Sequence, residues 1–250
     1  MSNHPLLNVA VQAARKAGTI ITRALDRLEG VKITPKGPKD FATEIDHKAE
    51  HEIIQIIRKA YPDHTILGEE FGEQKGKDSD TLWIIDPLDG TTNFYHGFPH
   101  FCVSIAVMQK GRIEHGVIYD PLRQELFTAS AGQGAKLNQY RIRVSNCLEL
   151  GSALISTEFH CPSVQSARNT GSAALDLAYV AAGRLDGFWD EGLNVWDIAA
   201  GCLLITEAGG LVQEPKESNS KNNNTNYLKT GNLIATNPKL MSEFIKVCRR

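Results

Sequence analysis

The sequence predicts an α+β fold that passes into α/β: helices on an antiparallel sheet in the first half, strands alternating with helices in the second. Three observations carry this reading. Residues 101–143 hold four strand-like runs, FCVSIAVM, RIEHGVIYD, ELFTAS and GAKLN, separated by Lys-Gly, Pro-Leu-Arg and Gly-containing turns, the text of a β-meander. Residues 6–28 and 44–59 repeat apolar side chains at helical spacing. Beyond residue 150, strand-like and helix-like runs alternate. We set the division at 1–145, an N-terminal α+β subdomain, and 146–250, a smaller C-terminal α/β subdomain. No Pro- or Ser-rich linker separates them, so tight packing of the two is expected.

In chain order, Leu6, Val9, Ala10, Ala13, Ala17, Ile20, Ile21, Ala24 and Leu28 form one stripe behind Pro5, which suits the first turn of a helix. KITPKGPKDFATEID, 32–46, is rich in Pro, Gly and Lys and reads as a loop or hairpin. Thr43 with Asp46 reads as a capping box that opens a second helix to about Lys59, with Ile45, Ala49, Ile53, Ile56 and Ile57 on its buried face. TILG and TLWII are strands. In the second half SALIST is a strand, Ser172–Ala182 a helix ended by Gly183, and DGFWDE a strand. Trp196–Ala208 is a helix ended by Gly209-Gly210, NLIAT is a strand, and Asn237-Pro238 opens a terminal helix. The polar run PKESNSKNNNTN, 215–226, is expected to be a mobile loop.

Composition narrows the function classes. The 250 residues carry a net charge of -2, and 42% are hydrophobic against 22% charged. No basic block argues for nucleic acid or an anionic membrane surface. The five cysteines are scattered, with no CxxC pair, so free thiols in a reducing cytosol are expected. No apolar stretch suits a signal peptide or a membrane span, so a cytoplasmic location is expected.

The chemistry concentrates in WIIDPLDGTTNF, 83–94. A buried strand runs into two aspartates, Asp86 and Asp89, at its carboxyl end, where open α/β sheets place ligands. Pro87 stops simple continuation of the strand, Gly90 permits a tight turn, and TTNF starts a helix whose free N–H groups favour an anion. Carboxylates for a hard cation thus stand beside a seat for a phosphate, the pairing Mg²⁺ uses. Further acids stand at element ends: Asp46, Glu69, Glu70 and Asp197. A single such aspartate more often serves a helix dipole; the Asp-Pro-Leu-Asp-Gly-Thr run is what points to chemistry. Its Asp-x-x-Asp spacing differs from the Asp-x-Asp of aspartyl-phosphate phosphatases.

WIIDPLDGTTNF resembles the first signature of the inositol monophosphatase family, and WDIAAGCLLITEAGG, 196–210, resembles its second. GEE at 68–70, DFATEID at 40–46 and GSAALDLAYVAAGRLDGFWDEG are similar to other segments of the family, and the likeness points to its bacterial SuhB-type branch. The resemblance implies a layered αβαβα sandwich of the sugar-phosphatase type, Mg²⁺-dependent hydrolysis of phosphate monoesters with two or three Mg²⁺ per site, sensitivity to Li⁺, and a homodimer. It implies Glu69, Asp86 and the Leu88 carbonyl at one metal, and Asp86, Asp89 and Asp197 at a second. It implies Glu70 as the residue that orients or deprotonates water, with Thr91 hydrogen-bonded to it and Asp46 coupled to Thr91. Gly90 and Thr91 N–H groups would cradle phosphate, and Gly171, Ser172, Ala173 and Asp190 would contact the sugar alcohol. Two departures stand out. Asp190 falls where the family usually has Glu. The stretch Ser156–Gly171 is shorter than the family's by a helix and more, near the substrate rim and the subunit contact.

Other patterns carry less. HKAEH, 47–51, fits an H-x-x-E-H zinc pattern, yet His47 and His51 lie off the apolar stripe of their helix, on its polar flank. GQGAKLN lacks the strand-to-helix context of a dinucleotide loop and reads as a turn. Lys36 falls where the family has a lysine near the metals, and Trp83 and Trp196 read as core anchors. The expected function is hydrolysis of small sugar-alcohol or sugar phosphates, inositol 1-phosphate first. The alternatives are a nucleotide or sugar bisphosphatase, or a regulatory binding protein with a partner in the transcription machinery.

Overall fold

The computed structural model describes residues 4–27, 33–37, 40–159, 161, 164, 166–215 and 227–248, with the backbone alone at 33–37 and 40–42. Seven α-helices, a 3-10 turn at Leu150–Ser152 and fifteen strands are defined among these residues. The first half contains α1 (Pro5–Leu25), the hairpin β1 (Ile33–Gly37) and β2 (Asp40–Thr43), α2 (Glu44–Ala60), β3 (His64–Gly68), β4 (Gly72–Gln74), β5 (Asp78–Asp89), α3 (Thr91–Tyr95), and β6 (Cys102–Gln109). It continues through β7 (Arg112–Asp120), β8 (Glu125–Ser130), β9 (Gly134–Leu137) and β10 (Tyr140–Arg141). The second half contains β11 (Leu154–Thr157), β12 (Ser166–Arg168), α4 (Ala173–Ala181), β13 (Gly187–Asp190), α5 (Val195–Glu207), β14 (Leu211–Gln213), α6 (Tyr227–Thr230), β15 (Leu233–Thr236) and α7 (Met241–Cys248).

Strand periodicity sorts the core into layers. In β5, Trp83 and Ile85 face a cluster built with Ala10, Ala13, Ala17 and Ile21 of α1 and Ile53 and Ile57 of α2. Ile84, between them, faces the opposite cluster, built with Leu177 of α4 and Ile198 and Leu204 of α5. A third cluster packs Phe244 and Met241 of α7 on Ile155, Trp189 and Ile234. The layers therefore run α1/α2, eight-stranded sheet, α4/α5, five-stranded sheet, α7: the αβαβα sandwich that the resemblance implies.

The eight-stranded sheet has the order β10-β9-β8-β7-β6-β5-β3-β4 and is antiparallel except for β3 beside β5. The meander of residues 101–143 supplies five of its strands, β6 to β10. The second sheet, β12-β11-β13-β15-β14, departs from a run of βα units. β11 pairs in parallel with β12 and β13, but β15 is antiparallel to both β13 and β14. Three short strands, β4, β12 and β14, carry too few residues for a periodic signal. Cys102, Cys161, Cys202 and Cys248 are buried and Cys147 half-buried, and no disulfide joins any of the described cysteines. Trp83 is fully buried, its indole N–H donating to His64 Nδ1 at 3.0 Å, whereas Trp196 is only half-buried against the middle layer. The side chain of Lys36 and residues 216–226 lie outside the described residues.

Candidate metal and phosphate site

A regular strand would send Asp86 and Asp89, three residues apart, to opposite faces. The structure brings them to one face. Asp86 is paired with Ser104 of β6 and Asp89 with Cys102, two residues further along, so β5 spends three residues where β6 spends two. The extra residue is a β-bulge at Pro87-Leu88, where Pro87 has no ladder N–H to lose. Ser104 marks the shared face: its hydroxyl donates to the Trp196 carbonyl of α5, in the middle layer, at 3.2 Å. Leu88 is left in the α1/α2 cluster, and its N–H donates to Asp86 Oδ1 at 3.0 Å.

Gly90 follows with φ +94°, a left-handed turn that a side chain would strain. A Cβ there would also meet the His100 carbonyl at 3.0 Å and the Gly171 carbonyl at 3.3 Å. The turn opens the five-residue helix α3, so the backbone of Thr91 enters a helix start. The Thr91 hydroxyl lies 2.9 Å from Asp46 Oδ1 and 3.0 Å from the Leu88 carbonyl. Asp46 is fully buried in the first turn of α2 and closes the capping box, accepting from Thr43 N–H at 2.8 Å.

Asp89 joins the two halves of the chain. Its Oδ2 accepts from the Ser172 hydroxyl at 2.5 Å and from the Ala174 N–H at 2.8 Å, so it caps α4 from outside that helix. Asn93 Nδ2 reaches both the His100 carbonyl at 2.7 Å and the Thr170 carbonyl at 2.8 Å, holding the 170–172 segment against the Gly90 turn. Asp197 stands in the first turn of α5, half-buried, and accepts from Asn194 N–H at 2.7 Å.

Electrostatics show that four acids share one region. Asp86 is pushed well above the usual carboxylate range by burial first, then by Glu69, Asp89 and Asp197. Asp89 is raised to about 6, burial outweighing its hydrogen bonds to Ser172 and Ala174. Asp197 is raised to about 8 by burial, Asp89 and Glu69. Among the described residues no Lys, Arg or His pairs with Asp86, Asp89 or Asp197. Nor do any three His, Cys, Asp or Glu side chains among them stand closed into a ready ligand shell. The carboxylates are turned to protein donors, as the bonds of Asp89 and Asp197 show. The donor set nonetheless fits a hard divalent cation in its chemistry: all oxygen, largely buried, mutually repelling and, among the described residues, without a counter-ion on the three aspartates.

The expected hydrogen bond between Glu70 and Thr91 is absent. Thr91 is committed to Asp46 and the Leu88 carbonyl, and the buried Glu70 carboxylate stands 3.5 Å from His47 Nε2. Of the two adjacent glutamates, Glu69 acts electrostatically on the aspartates. Gly171 lies beside the Gly90 turn and Ser172 beside Asp89, with Ala173 following at the start of α4. Asp190 is buried, accepts from Glu158 N–H at 3.0 Å, and is raised to about 7 by that burial; Asp176 acts electrostatically on both Asp89 and Asp190. A groove of about 770 Å³ between α1 and the outer face of β8 and β9 contains none of these acids.

Three residues of the site went unread in the sequence. Asn93 and Asp176 tie the 170–172 segment in place, Asp176 accepting from Ser156 Oγ and from Thr170 Oγ1, each at 2.5 Å. Glu50 accepts from the N–H groups of Glu70 and Phe71. Its position four residues after Asp46, on the same helix face, was the available signal. The zinc-like HKAEH pattern thus has Glu50 turned to the backbone and His47 to Glu70.

The model of the inositol monophosphatase family matches residues 2–250. The Nus factor SuhB of Escherichia coli K12 is 49% identical over 259 residues, covering 97% of this chain and 95% of the relative. The crystal structure of the extragenic suppressor protein SuhB from Bartonella henselae superposes with a TM-score of 0.92 at 41% identity, covering 99% of each chain. An IMPase of Thermotoga maritima superposes with a TM-score of 0.87 at 37% identity, covering 98% of this chain and 97% of the other. Matched by the family model over residues 2–250 and by relatives at 41–49% identity along nearly its whole length, this chain belongs to the inositol monophosphatase family.

Proposed function

We propose that this protein hydrolyses small phosphate monoesters, inositol 1-phosphate first, with Mg²⁺ held by Glu69, Asp86, the Leu88 carbonyl, Asp89 and Asp197. One observation carries the reading: three aspartates from two halves of the chain, in electrostatic range of Glu69, pair with no Lys, Arg or His among the described residues and sit beside a helix start at Gly90. Bound Mg²⁺ would neutralise the phosphate dianion, lower the pKa of a water and stabilise the leaving alkoxide.

The chain's own groups do the rest. The backbone N–H groups at Gly90 and Thr91 face an anion without a side chain in the way. The Thr91 hydroxyl, donating to Asp46, keeps its lone pairs to accept from a water and so orients it. Glu69 serves as a metal ligand, and Glu70, whose carboxylate stands 3.5 Å from His47 Nε2, is the glutamate that would orient or deprotonate that water. Ser172 and the α4 N-terminus hold Asp89 in register with the sugar-contact segment. Asp190 would accept from a substrate hydroxyl.

Phosphate release from inositol 1-phosphate and a panel of sugar and nucleotide phosphates tests this, with Mg²⁺, with chelator, and with Li⁺ added. Mg²⁺-dependent, Li⁺-sensitive release with the highest kcat/KM on inositol 1-phosphate is expected. No release from any ester with Mg²⁺ present would sink the reading. The 49% identity to a protein named as a Nus factor supports a second reading, a binding partner in the transcription machinery; a cytoplasmic homodimer belongs to the proposal as the family resemblance implies it. No described helix is long and apolar enough to cross a membrane.

A further inference from the structure

Glu50 lies one turn beyond Asp46 on α2 and is fully buried. A buried carboxylate is costly unless hydrogen-bonded. Glu50 uses both oxygens: Oε2 accepts from the Glu70 N–H at 2.8 Å and Oε1 from the Phe71 N–H at 2.9 Å. The Glu69 N–H donates to the Ile85 carbonyl at 3.2 Å. All three N–H groups of the turn between β3 and β4 are thereby taken, and Gly68 pairs with Gly72 across its base. Gly68 is dictated by the same carboxylate, since a Cβ there would collide with Glu50.

The backbone of Glu69 is therefore gripped from two sides. One grip comes from Ile85, the neighbour of Asp86, and the other from α2. The same helix sends Asp46 to Thr91 and His47 to Glu70. We propose that Glu50 is a positioning residue: its carboxylate clamps the turn at 69–71 and so aims Glu69 at Asp86, Asp89 and Asp197. The inference deepens the proposed function and rests on it.

The fold contains a matching clamp elsewhere. Glu207 of α5 accepts from Gly132 N–H at 2.7 Å and from Gly134 N–H at 2.6 Å, at a turn with no part in the acid cluster. Glu50→Gln and Glu207→Gln therefore make the same chemical change at two sites, and only one of them bears on Glu69.

The test is Mg²⁺ binding by isothermal titration on the whole protein and both variants, with melting curves and steady-state kinetics alongside. Glu50→Gln is expected to weaken Mg²⁺ binding about 10-fold or more, the cost of losing an outer partner of a metal ligand, and to raise the Mg²⁺ concentration needed for half-maximal turnover. Glu50→Asp, which keeps the charge and shortens the arm, should recover part of that loss. Glu207→Gln should leave Mg²⁺ binding unchanged. Equal Mg²⁺ affinity in Glu50→Gln and the parent overturns the inference, as does equal weakening by Glu207→Gln.

Amide exchange on the parent gives a measure independent of whether a variant folds. Protection of the Glu70 and Phe71 N–H groups should rise when Mg²⁺ is added, because clamp and cation are linked through Glu69; unchanged protection overturns the proposal. A parent that binds no Mg²⁺ overturns the functional reading together with this one. A parent that binds and hydrolyses while Glu50→Gln matches it overturns this one alone.

Discussion

The Ser172 hydroxyl donates to Asp89 Oδ2 across 2.5 Å, and both side chains are buried. This bond spans 83 residues of sequence and ties the first sheet's bulged strand to the start of α4. Ser172→Ala leaves Asp89 with one fewer donor in a site it shares with other acids. Loss of about 1–3 kcal/mol in unfolding free energy is expected, the cost of a buried hydrogen bond to a charged group. Denaturant unfolding without metal measures it, and an unchanged midpoint would count against the bond's role.

Asp89→Asn separates catalysis from stability. The amide keeps the shape but removes a charge that Asp86 and Asp197 repel. Turnover should fall at least about 100-fold, in line with losing a group that stabilises transition-state charge. Metal-free melting should stay level or rise, since like-charge repulsion is relieved. If transcription-partner binding survives this change in a pull-down while hydrolysis is lost, the two proposed roles are separable.

The acids also set a pH dependence for the metal-free protein. Asp89 and Asp197 are raised in the folded state to about 6 and about 8, from an ordinary carboxylate value of 3.8. Between those limits the folded state holds more protons than the unfolded state, so unfolding free energy falls as pH rises. Melting temperature without metal should therefore drop from pH 5 to pH 8. Mg²⁺ requires the ionised carboxylates, so its stabilisation should be larger at pH 8 than at pH 5.5. A metal-free melting temperature that climbs across this range contradicts the cluster's electrostatics.

Gly90→Ala probes the phosphate turn. The φ of +94° strains any side chain there, and the added Cβ presses on the His100 and Gly171 carbonyls. A stability loss of about 1–3 kcal/mol is expected from the backbone strain. Turnover should fall more than stability alone explains, because the turn carries the proposed anion-facing N–H groups. Comparing inorganic phosphate inhibition in parent and variant isolates that effect; equal inhibition would remove Gly90 from the cradle.

Periodicity and punctuation were enough to determine most elements: the meander of 101–143, the stripes of α1 and α2, the glycine stop after α5, and the Thr43–Asp46 cap. These are local properties, decided within a turn or a strand's length, so the chain states them wherever it is read. The acids themselves, Glu69, Asp86, Asp89 and Asp197, were equally visible. Only the tertiary structure decided that they share one region. Asp86 and Asp89 face the same way through a single extra residue against β6, and no periodic signal records a bulge. The same holds for the reversed direction of β15, for the turn of Glu70 toward His47 and away from Thr91, and for the grip of Glu50 on Glu70 and Phe71. Such contacts depend on register and packing summed over the whole sandwich, where each partner's direction is settled by neighbours far away in the chain.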